Sequence, residues 1–131
     1  MAVKTEINLT NLAYVILYVP DAAAALPFYR DKLGMTVKME DGGWIELESG
    51  AATLALHATE KMPQLPKEGA PVMVFQVEKI KEAYEQLKER GIEFDSEPHE
   101  VCQTPEHIGL SADFKDPWGN SLSIFGMVDK R

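Results

Sequence analysis

Side chains able to bind or transform a small molecule recur at alternate positions of several short apolar segments. Tyr14 and Tyr18 lie in one such segment. Trp44 and Glu46, which are separated by one residue, lie in another, and His57 lies near the end of a third. Alternate residues of a β-strand point to the same side of the sheet. The pattern predicts one ligand-binding surface formed by Tyr14, Tyr18, Trp44, Glu46, His57, Gln76, Ser123 and Phe125.

The chemistry of this set favours a planar or cationic ligand. Each aromatic ring offers a stacking surface, worth roughly 0.5–1.5 kcal/mol per aromatic pair beyond area burial. A cation over Trp44 would add about 0.5–2 kcal/mol, and Glu46 would attract it further. His57, Gln76 and Ser123 would orient the ligand by hydrogen bonds, and His57 is the candidate catalytic base. The alternative interpretation of this face is a dimer interface or a partly covered sheet.

Short strands and two helices must position these residues. Alternation predicts strands over residues 14–19, 36–40, 44–49, 52–58, 72–77, 92–97, 110–115 and 121–125. Residues 22–33 and 79–90 have helical periodicity, with Asp21 as the first N-cap, and Gly34 and Gly91 end the two helices. Pro27 should bend the first helix locally. Residues 59–71 are expected to form a linker and residues 98–107 a loop.

The order strand, helix and three strands therefore occurs twice. We expect an α+β fold of two βαβββ modules that contribute strands to a mixed sheet, with helices on its outer face; the resemblance described below implies that this sheet curls around a cleft. Residues 1–131 would be a single domain, with module one at about 12–58 and module two at about 72–125. The sheet face that packs on the helices should be apolar. It is predicted to contain Val15, Leu17, Val19, Ile45, Leu47, Leu54, Leu56, Met73, Phe75, Val77, Leu122 and Ile124.

Composition narrows the class of partner. The chain has 131 residues and a formal net charge of −8, with 45% hydrophobic and 26% charged residues. Nucleic acid and anionic membrane are not expected partners, because the basic surface that phosphate binding needs is missing. Cys102 is the only cysteine, so no disulfide forms within the chain. Without a signal-like start or an apolar stretch of about 20 residues, the expected location is cytoplasmic.

Three segments resemble the vicinal oxygen chelate superfamily of glyoxalases, bleomycin-resistance proteins and extradiol dioxygenases. They are residues 17–21 (Leu-Tyr-Val-Pro-Asp), 28–34 (Phe-Tyr-Arg-Asp-Lys-Leu-Gly) and 114–122 (Phe-Lys-Asp-Pro-Trp-Gly-Asn-Ser-Leu). Together they extend the resemblance over residues 12–125. It implies two βαβββ modules whose sheets curl around a cleft, usually completed by dimerisation, so we expect a homodimer.

The resemblance also implies where metal ligands should lie. In the superfamily's metalloenzymes, ligands come from the first and last strand of each module. Carried onto this sequence, the four positions hold Tyr14, Ala55, Val72 and Ser123. Alanine and valine cannot bind a metal, and serine and tyrosine are poor substitutes for histidine and carboxylate. We therefore expect no metal and no other cofactor.

Two other groupings of ligand-type residues remain as alternatives. Tyr14, Glu46 and His57 could form an unorthodox metal site on the predicted face. The cluster of His99, Cys102 and His107, with Glu100 and Glu106 nearby, lies in the predicted loop without a recognised zinc spacing. The second group is interpreted as residues at the rim of the cleft.

The function expected from these observations is metal-free binding of a small molecule, of the kind in which bleomycin-resistance proteins sequester a drug or toxin. The first alternative is a glyoxalase- or dioxygenase-type lyase or isomerase. It would use a metal on unorthodox ligands, or His57 as base without a metal. The second alternative is a protein-interaction module.

Overall fold

The computed structural model describes residues 7, 9–66 and 69–130. Its strands are β1 (Tyr14–Val19), β2 (Val37–Asp41), β3 (Trp44–Ser49), β4 (Ala52–Ala58), β5 (Val72–Gln76), β6 (His99–Gln103), β7 (His107–Lys115) and β8 (Ser121–Asp129). The helical elements are a 3-10 turn (Ala23–Ala25), a π-helical segment (Pro27–Lys32) and α1 (Ile80–Glu89). Among the described residues, no helix has the length and apolar character needed to cross a bilayer.

The strands form two four-stranded mixed sheets, which confirms the α+β fold. Sheet 1 has the order β1-β4-β3-β2, and sheet 2 has the order β5-β8-β7-β6. In each sheet the first strand runs parallel to the last, and the other pairs are antiparallel. One compact unit holds sheet 1 and the 3-10 turn, and the other holds sheet 2, α1 and the π-helical segment. The helical segment of module one thus packs within the unit of sheet 2.

The predicted apolar face is confirmed by burial. Eight of its members are buried: Leu17, Val19, Ile45, Leu47, Leu54, Leu56, Leu122 and Ile124. In sheet 2, both helical elements lie on this face. The ring of Phe28 lies 6.4 Å from that of Phe114, and Tyr84 contacts Phe94, which in turn contacts Phe114. Because side chains alternate along β7 and β8, Ser111, Asp113 and Ser123 lie on the opposite face.

The prediction of one continuous helix over residues 22–33 was wrong. Asp21 does cap the segment, since its Oδ1 accepts hydrogen bonds from the backbone N–H groups of Ala23 and Ala24. The chain forms a 3-10 turn and then a π-helical segment with Pro27 near its first position. Proline has no N–H to donate, so the regular α-helical ladder cannot run through it. Gly34 follows with φ of 77°, as expected of a residue that ends a helix.

Residues 92–107 differ most from the prediction. No strand forms over 92–97, where a single isolated bridge joins Phe94 to Phe114. The predicted loop 98–107 instead contains β6, which pairs with β7 through an irregular register between Glu100 and Cys102. All five residues of β6 are exposed. Because neither side of the strand is buried, neither side requires apolar residues, and the sequence shows no alternation there. An edge strand held by backbone hydrogen bonds alone gives no hydrophobic pattern.

The last hairpin is longer than the sequence predicted. β7 begins at His107 and β8 extends to Asp129, beyond the predicted limits of 110 and 125. Gly126 permits this extension, because a Cβ there would lie 2.9 Å from the carbonyl oxygen of Val77 and 3.0 Å from Ile80. Gly126 therefore lies within β8, at the place where α1 approaches the sheet.

A buried hydrogen-bond network fixes the π-helical segment to the turn before β8. The hydroxyl of Tyr29, which is fully buried, donates to Asp116 Oδ2 over 2.7 Å. Asn120 Nδ2 donates to the same oxygen, and the backbone N–H groups of Trp118 and Asn120 donate to Oδ1. Burial, followed by the charge and hydrogen bond of Asp116, raises the pKa of Tyr29 above its usual range.

We predict that Tyr29→Phe lowers the free energy of unfolding by about 1–3 kcal/mol, because it removes a donor from a buried carboxylate. Urea unfolding at pH 7 measures the loss. Tyr84→Phe is the matched control, since the Tyr84 hydroxyl has no hydrogen-bond partner among the described residues. A loss for Tyr29→Phe no larger than that for the control would contradict the role of this bond.

The raised pKa of Tyr29 also predicts a pH dependence. The unfolded chain ionises this phenol near its ordinary pKa of about 10, whereas the folded protein keeps it protonated. Its stabilising contribution is therefore complete below about pH 10 and falls as the pH rises further, by up to about 1.4 kcal/mol per pH unit. The stability gap between the wild type and Tyr29→Phe should narrow between pH 9 and pH 11. A gap that stays constant over this range would show that the phenol ionises equally in both states.

Candidate functional site

Five of the predicted site residues lie together on one face of sheet 1. Strand register aligns Tyr18 with His57, His57 with Trp44, and Ala55 with both Ile16 and Glu46. We call this side of sheet 1 the aromatic face. Its predicted members are Tyr14, Tyr18, Trp44, Glu46 and His57, and Tyr14, Ile16, Tyr18 and His57 are exposed. The structure thus brings these five residues together on one side of sheet 1.

The Glu46 carboxylate is the centre of the aromatic face. Only 7% of the residue is exposed, and its Oε2 accepts hydrogen bonds from Trp44 Nε1 (2.9 Å) and from the Tyr14 hydroxyl (3.2 Å). Its Oε1 accepts none from the part of the chain that the structure describes. No buried polar side-chain atom there lacks a partner, so Oε1 keeps some access to solvent.

Ala55 explains how the phenol of Tyr14 reaches Glu46. Tyr14 lies on β1 and Glu46 on β3, with β4 between them. The β4 residue opposite Glu46 is Ala55, whose methyl group leaves the space above the strand free. The negative charge of Glu46, followed by the hydrogen bond, raises the pKa of Tyr14. The phenol therefore remains a protonated donor at neutral pH.

An aromatic row crosses the sheet next to this carboxylate. The His57 ring lies between Tyr18 and Trp44, with ring centroids 5.4 Å and 5.5 Å away. The rings of Trp44 and Tyr14 are 6.0 Å apart in an edge-on arrangement. These four rings offer a continuous aromatic surface beside a carboxylate, which suits a flat ligand that carries a hydrogen-bond donor.

The other three predicted residues lie on sheet 2. Gln76 pairs with Phe125, and Ser123 pairs with Val74 in the neighbouring row of the same face. Ser123 is buried, and the single O–H of its hydroxyl has three acceptors within reach: the Ser111 hydroxyl at 2.8 Å and the carbonyl oxygens of Ala112 at 3.2 Å and Ile124 at 3.3 Å. The Ser123 hydroxyl is therefore hydrogen-bonded within sheet 2. Phe125 and the Cys102 sulfur lie over Gly109, where any Cβ would collide with both.

The four positions that the resemblance implies for metal ligands do not fit a divalent ion. Ala55 and Val72 offer no donor atom, the Ser123 hydroxyl is committed to protein oxygens, and the Tyr14 phenol is bonded to Glu46. Across residues 7, 9–66 and 69–130, no three His, Cys, Asp or Glu side chains are grouped to hold a metal. In the unorthodox set of Tyr14, Glu46 and His57, the first two are hydrogen-bonded to each other. His57 packs between the rings of Tyr18 and Trp44.

The histidines and cysteine of the predicted loop are spread over two strands. His99 and Cys102 lie on β6, and His107 begins β7. His99 Nδ1 contacts the Glu97 carbonyl oxygen at 2.8 Å, and His107 Nε2 lies 3.4 Å from Asp129. Each side chain thus has a separate local contact within sheet 2.

The site predicted from the sequence did not include Lys38 or Thr53. Lys38 lies at a register shift in β2, between Val37, which pairs with Leu47, and Met39, which pairs with Glu46. Its Nζ donates to Thr53 Oγ1 over 3.0 Å, so the ammonium group is on the aromatic face. No residue of β2 was assigned to either face from the sequence, and nothing in the residue types marks the β-bulge.

Asp113 was also missed. It pairs with Ser123 on β8 as Glu46 pairs with Ala55 on β4, so it occupies the corresponding place in sheet 2. Its carboxylate accepts hydrogen bonds from the hydroxyls of Ser111 (3.4 Å) and Ser96 (3.3 Å). Only the register of β7, which the sequence did not define, reveals this correspondence.

Comparison with known proteins agrees with the fold. The family model of the Glyoxalase/Bleomycin resistance protein/Dioxygenase superfamily matches residues 11–124. The uncharacterised protein YurT of Bacillus subtilis is 32% identical over 123 residues, covering 82% of this chain and 92% of its own.

Two solved structures are similar. A glyoxalase/bleomycin resistance protein/dioxygenase from Nocardioides has a TM-score of 0.71 and 26% identity, over 94% of this chain and 87% of its own. Lactoylglutathione lyase from Agrobacterium tumefaciens has a TM-score of 0.68 and 21% identity, over 89% of this chain and 93% of its own; at that identity the likeness shows the fold alone. The chain belongs to the Glyoxalase/Bleomycin resistance protein/Dioxygenase superfamily.

We predict that Glu46→Gln lowers the pKa of Tyr14 towards its ordinary value, because the charge of Glu46 is the largest cause of the shift. NMR titration of ¹³C-labelled tyrosine follows all four phenols separately, with Tyr14→Phe to assign the signal. Glu40→Gln removes the same charge from β2 opposite Ile45, away from the aromatic face, and serves as the control. A Tyr14 titration that is identical in the wild type and Glu46→Gln would contradict the hydrogen bond.

Proposed function

We propose that this protein binds a planar, cationic small molecule on the aromatic face of sheet 1, without a metal. The observation that carries the proposal is Glu46, a buried carboxylate with two neutral donors on one oxygen and a free acceptor on the other. Sequestration of a drug or toxin, as in the bleomycin-resistance members of the superfamily, is the physiological role that such binding would serve.

The charge state of this face supports a cationic ligand. Glu46 forms no ion pair within the part of the chain that the structure describes. A largely desolvated carboxylate without a cation gains free energy when a cation replaces the lost water. The formal net charge of −8 would also attract a cation over longer distances.

The rings support a flat ligand. Tyr14, Tyr18 and His57 are exposed on a sheet face, where solvent contact of large rings is unfavourable. A planar cation stacked on Trp44 or Tyr18 would cover them, while its N–H group reaches Glu46 Oε1. Stacking and the charge interaction then act on the same molecule.

Catalysis by His57 receives less support. A general base is normally oriented by a hydrogen bond to a third group. The contacts of His57 among the described residues are the rings of Tyr18 and Trp44, which hold the imidazole but do not select its tautomer. The enzyme and the protein-interaction module therefore remain alternatives, and the homodimer remains a prediction.

We predict that the wild type binds tryptamine and the larger planar cation acriflavine, as measured by isothermal titration calorimetry at pH 7. Trp44→Ala should weaken both by about tenfold, because it removes the stacking surface and a donor to Glu46. Glu46→Gln should weaken both by a similar factor, since it keeps the shape and removes the charge.

Glu40→Gln is the control for net charge, and it should bind both cations like the wild type. Failure of both cations to bind would contradict the proposal. So would unchanged affinities in Trp44→Ala and Glu46→Gln. Circular dichroism of each variant confirms that lost binding does not reflect lost folding.

A further inference from the structure

A positive charge lies on the aromatic face beside the negative one. The register of β2 against β3 shifts by one residue between Val37 and Met39, so Lys38 is the extra residue of a bulge. Val37 faces the buried side with Leu47, so the next residue, Lys38, faces the opposite side of the sheet. As a result the exposed Lys38 extends across β3 to Thr53 on β4, and its Nζ donates to Thr53 Oγ1 at 3.0 Å.

The two opposite charges do not neutralise each other. Neither Lys38 nor Glu46 takes part in an ion pair within the described residues. Thr53 uses one of the three N–H groups of the Lys38 ammonium, which leaves two for another acceptor. The face thus presents an unpaired ammonium donor and an unpaired carboxylate oxygen.

The order of these groups along the strands is defined by the register. The first row holds Tyr14, Thr53 and the exposed Glu48, and the Lys38 ammonium reaches it; the second row holds Ala55 and Glu46, and the third holds Tyr18, His57 and Trp44. Successive rows are about 7 Å apart, because residues two apart on a strand share a face. The face therefore carries the charges of Lys38 and Glu48 at one end of the strands, the carboxylate of Glu46 in the middle row, and the rings of Tyr18, His57 and Trp44 at the other end.

Resting on the proposed function, we propose that the ligand of this face is zwitterionic: an aromatic amine with an anionic group beside its ammonium, as in an aromatic α-amino acid or its derivative. The ligand's carboxylate binds Lys38, its ammonium binds Glu46 Oε1, and its ring stacks on the row of Trp44, His57 and Tyr18. Each charge of the ligand then faces its opposite on the protein.

A matched pair of ligands tests this inference. Tryptamine and L-tryptophan share the indole ring and the ammonium group, and only tryptophan carries a carboxylate. Calorimetry at pH 7 measures the ratio of their dissociation constants. We expect the wild type to bind tryptophan about 3- to 10-fold more tightly than tryptamine, as suits a charge-assisted bond to an exposed lysine.

Lys38→Gln should reduce this ratio to about one, and Thr53→Val should reduce it in part, because the ammonium loses the acceptor that positions it. Lys81→Gln makes the same change of net charge on α1 and should keep the wild-type ratio. A wild type that binds tryptamine without preferring tryptophan, or a preference that survives Lys38→Gln, would overturn the inference and leave the proposed function standing. If tryptamine, acriflavine and L-tryptophan all fail to bind, both proposals fail.

Discussion

A buried carboxylate that has only neutral donors sets the conditions for everything around it on sheet 1. Glu46 is 7% exposed, and its hydrogen bonds come from an indole and a phenol, neither of which carries a compensating charge. Such a group is tolerable in the folded state only if its donors are fixed in place. Tyr14 and Trp44 are therefore held in defined positions before any ligand arrives. The same constraint that stabilises the carboxylate also prepares a rigid aromatic surface, which reduces the entropy lost on binding.

The two sheets have the same strand order but differ in the surroundings of their central carboxylates. In sheet 1 the central carboxylate, Glu46, faces an alanine, and its free oxygen is available to a ligand. In sheet 2 the corresponding carboxylate, Asp113, pairs with Ser123, and serine hydroxyls satisfy it. Hydroxyl groups from the sheet itself make that second face polar and internally bonded. A duplicated fold can thus leave one carboxylate oxygen open to solvent in one sheet while the other sheet satisfies its own polar groups, with no change in strand order.

The sequence predicted the strands whose side chains alternate clearly, and with them most of the site. Tyr14, Trp44, Glu46 and His57 were placed on one face because β1, β3 and β4 are regular and buried on their other side. The prediction failed where backbone geometry overrides residue type. Pro27 broke the expected helix, β6 is an exposed edge strand without a pattern, and a bulge at Lys38 shifts the register of β2. Contacts that depend on register, such as those of Asp113, need a pairing that no single segment encodes.

The positive charge of the aromatic face is on the extra residue of the β2 bulge, Lys38, which pairs with no residue of β3. Val37 and Met39 already pair with consecutive residues of β3, so a chain without Lys38 would restore a regular ladder and leave both neighbours facing as they do now. The ammonium would vanish while the core stayed intact, because β2 is an edge strand. A change in chain length by one residue would therefore remove the positive charge of this face while the pairing of β2 with β3 is kept.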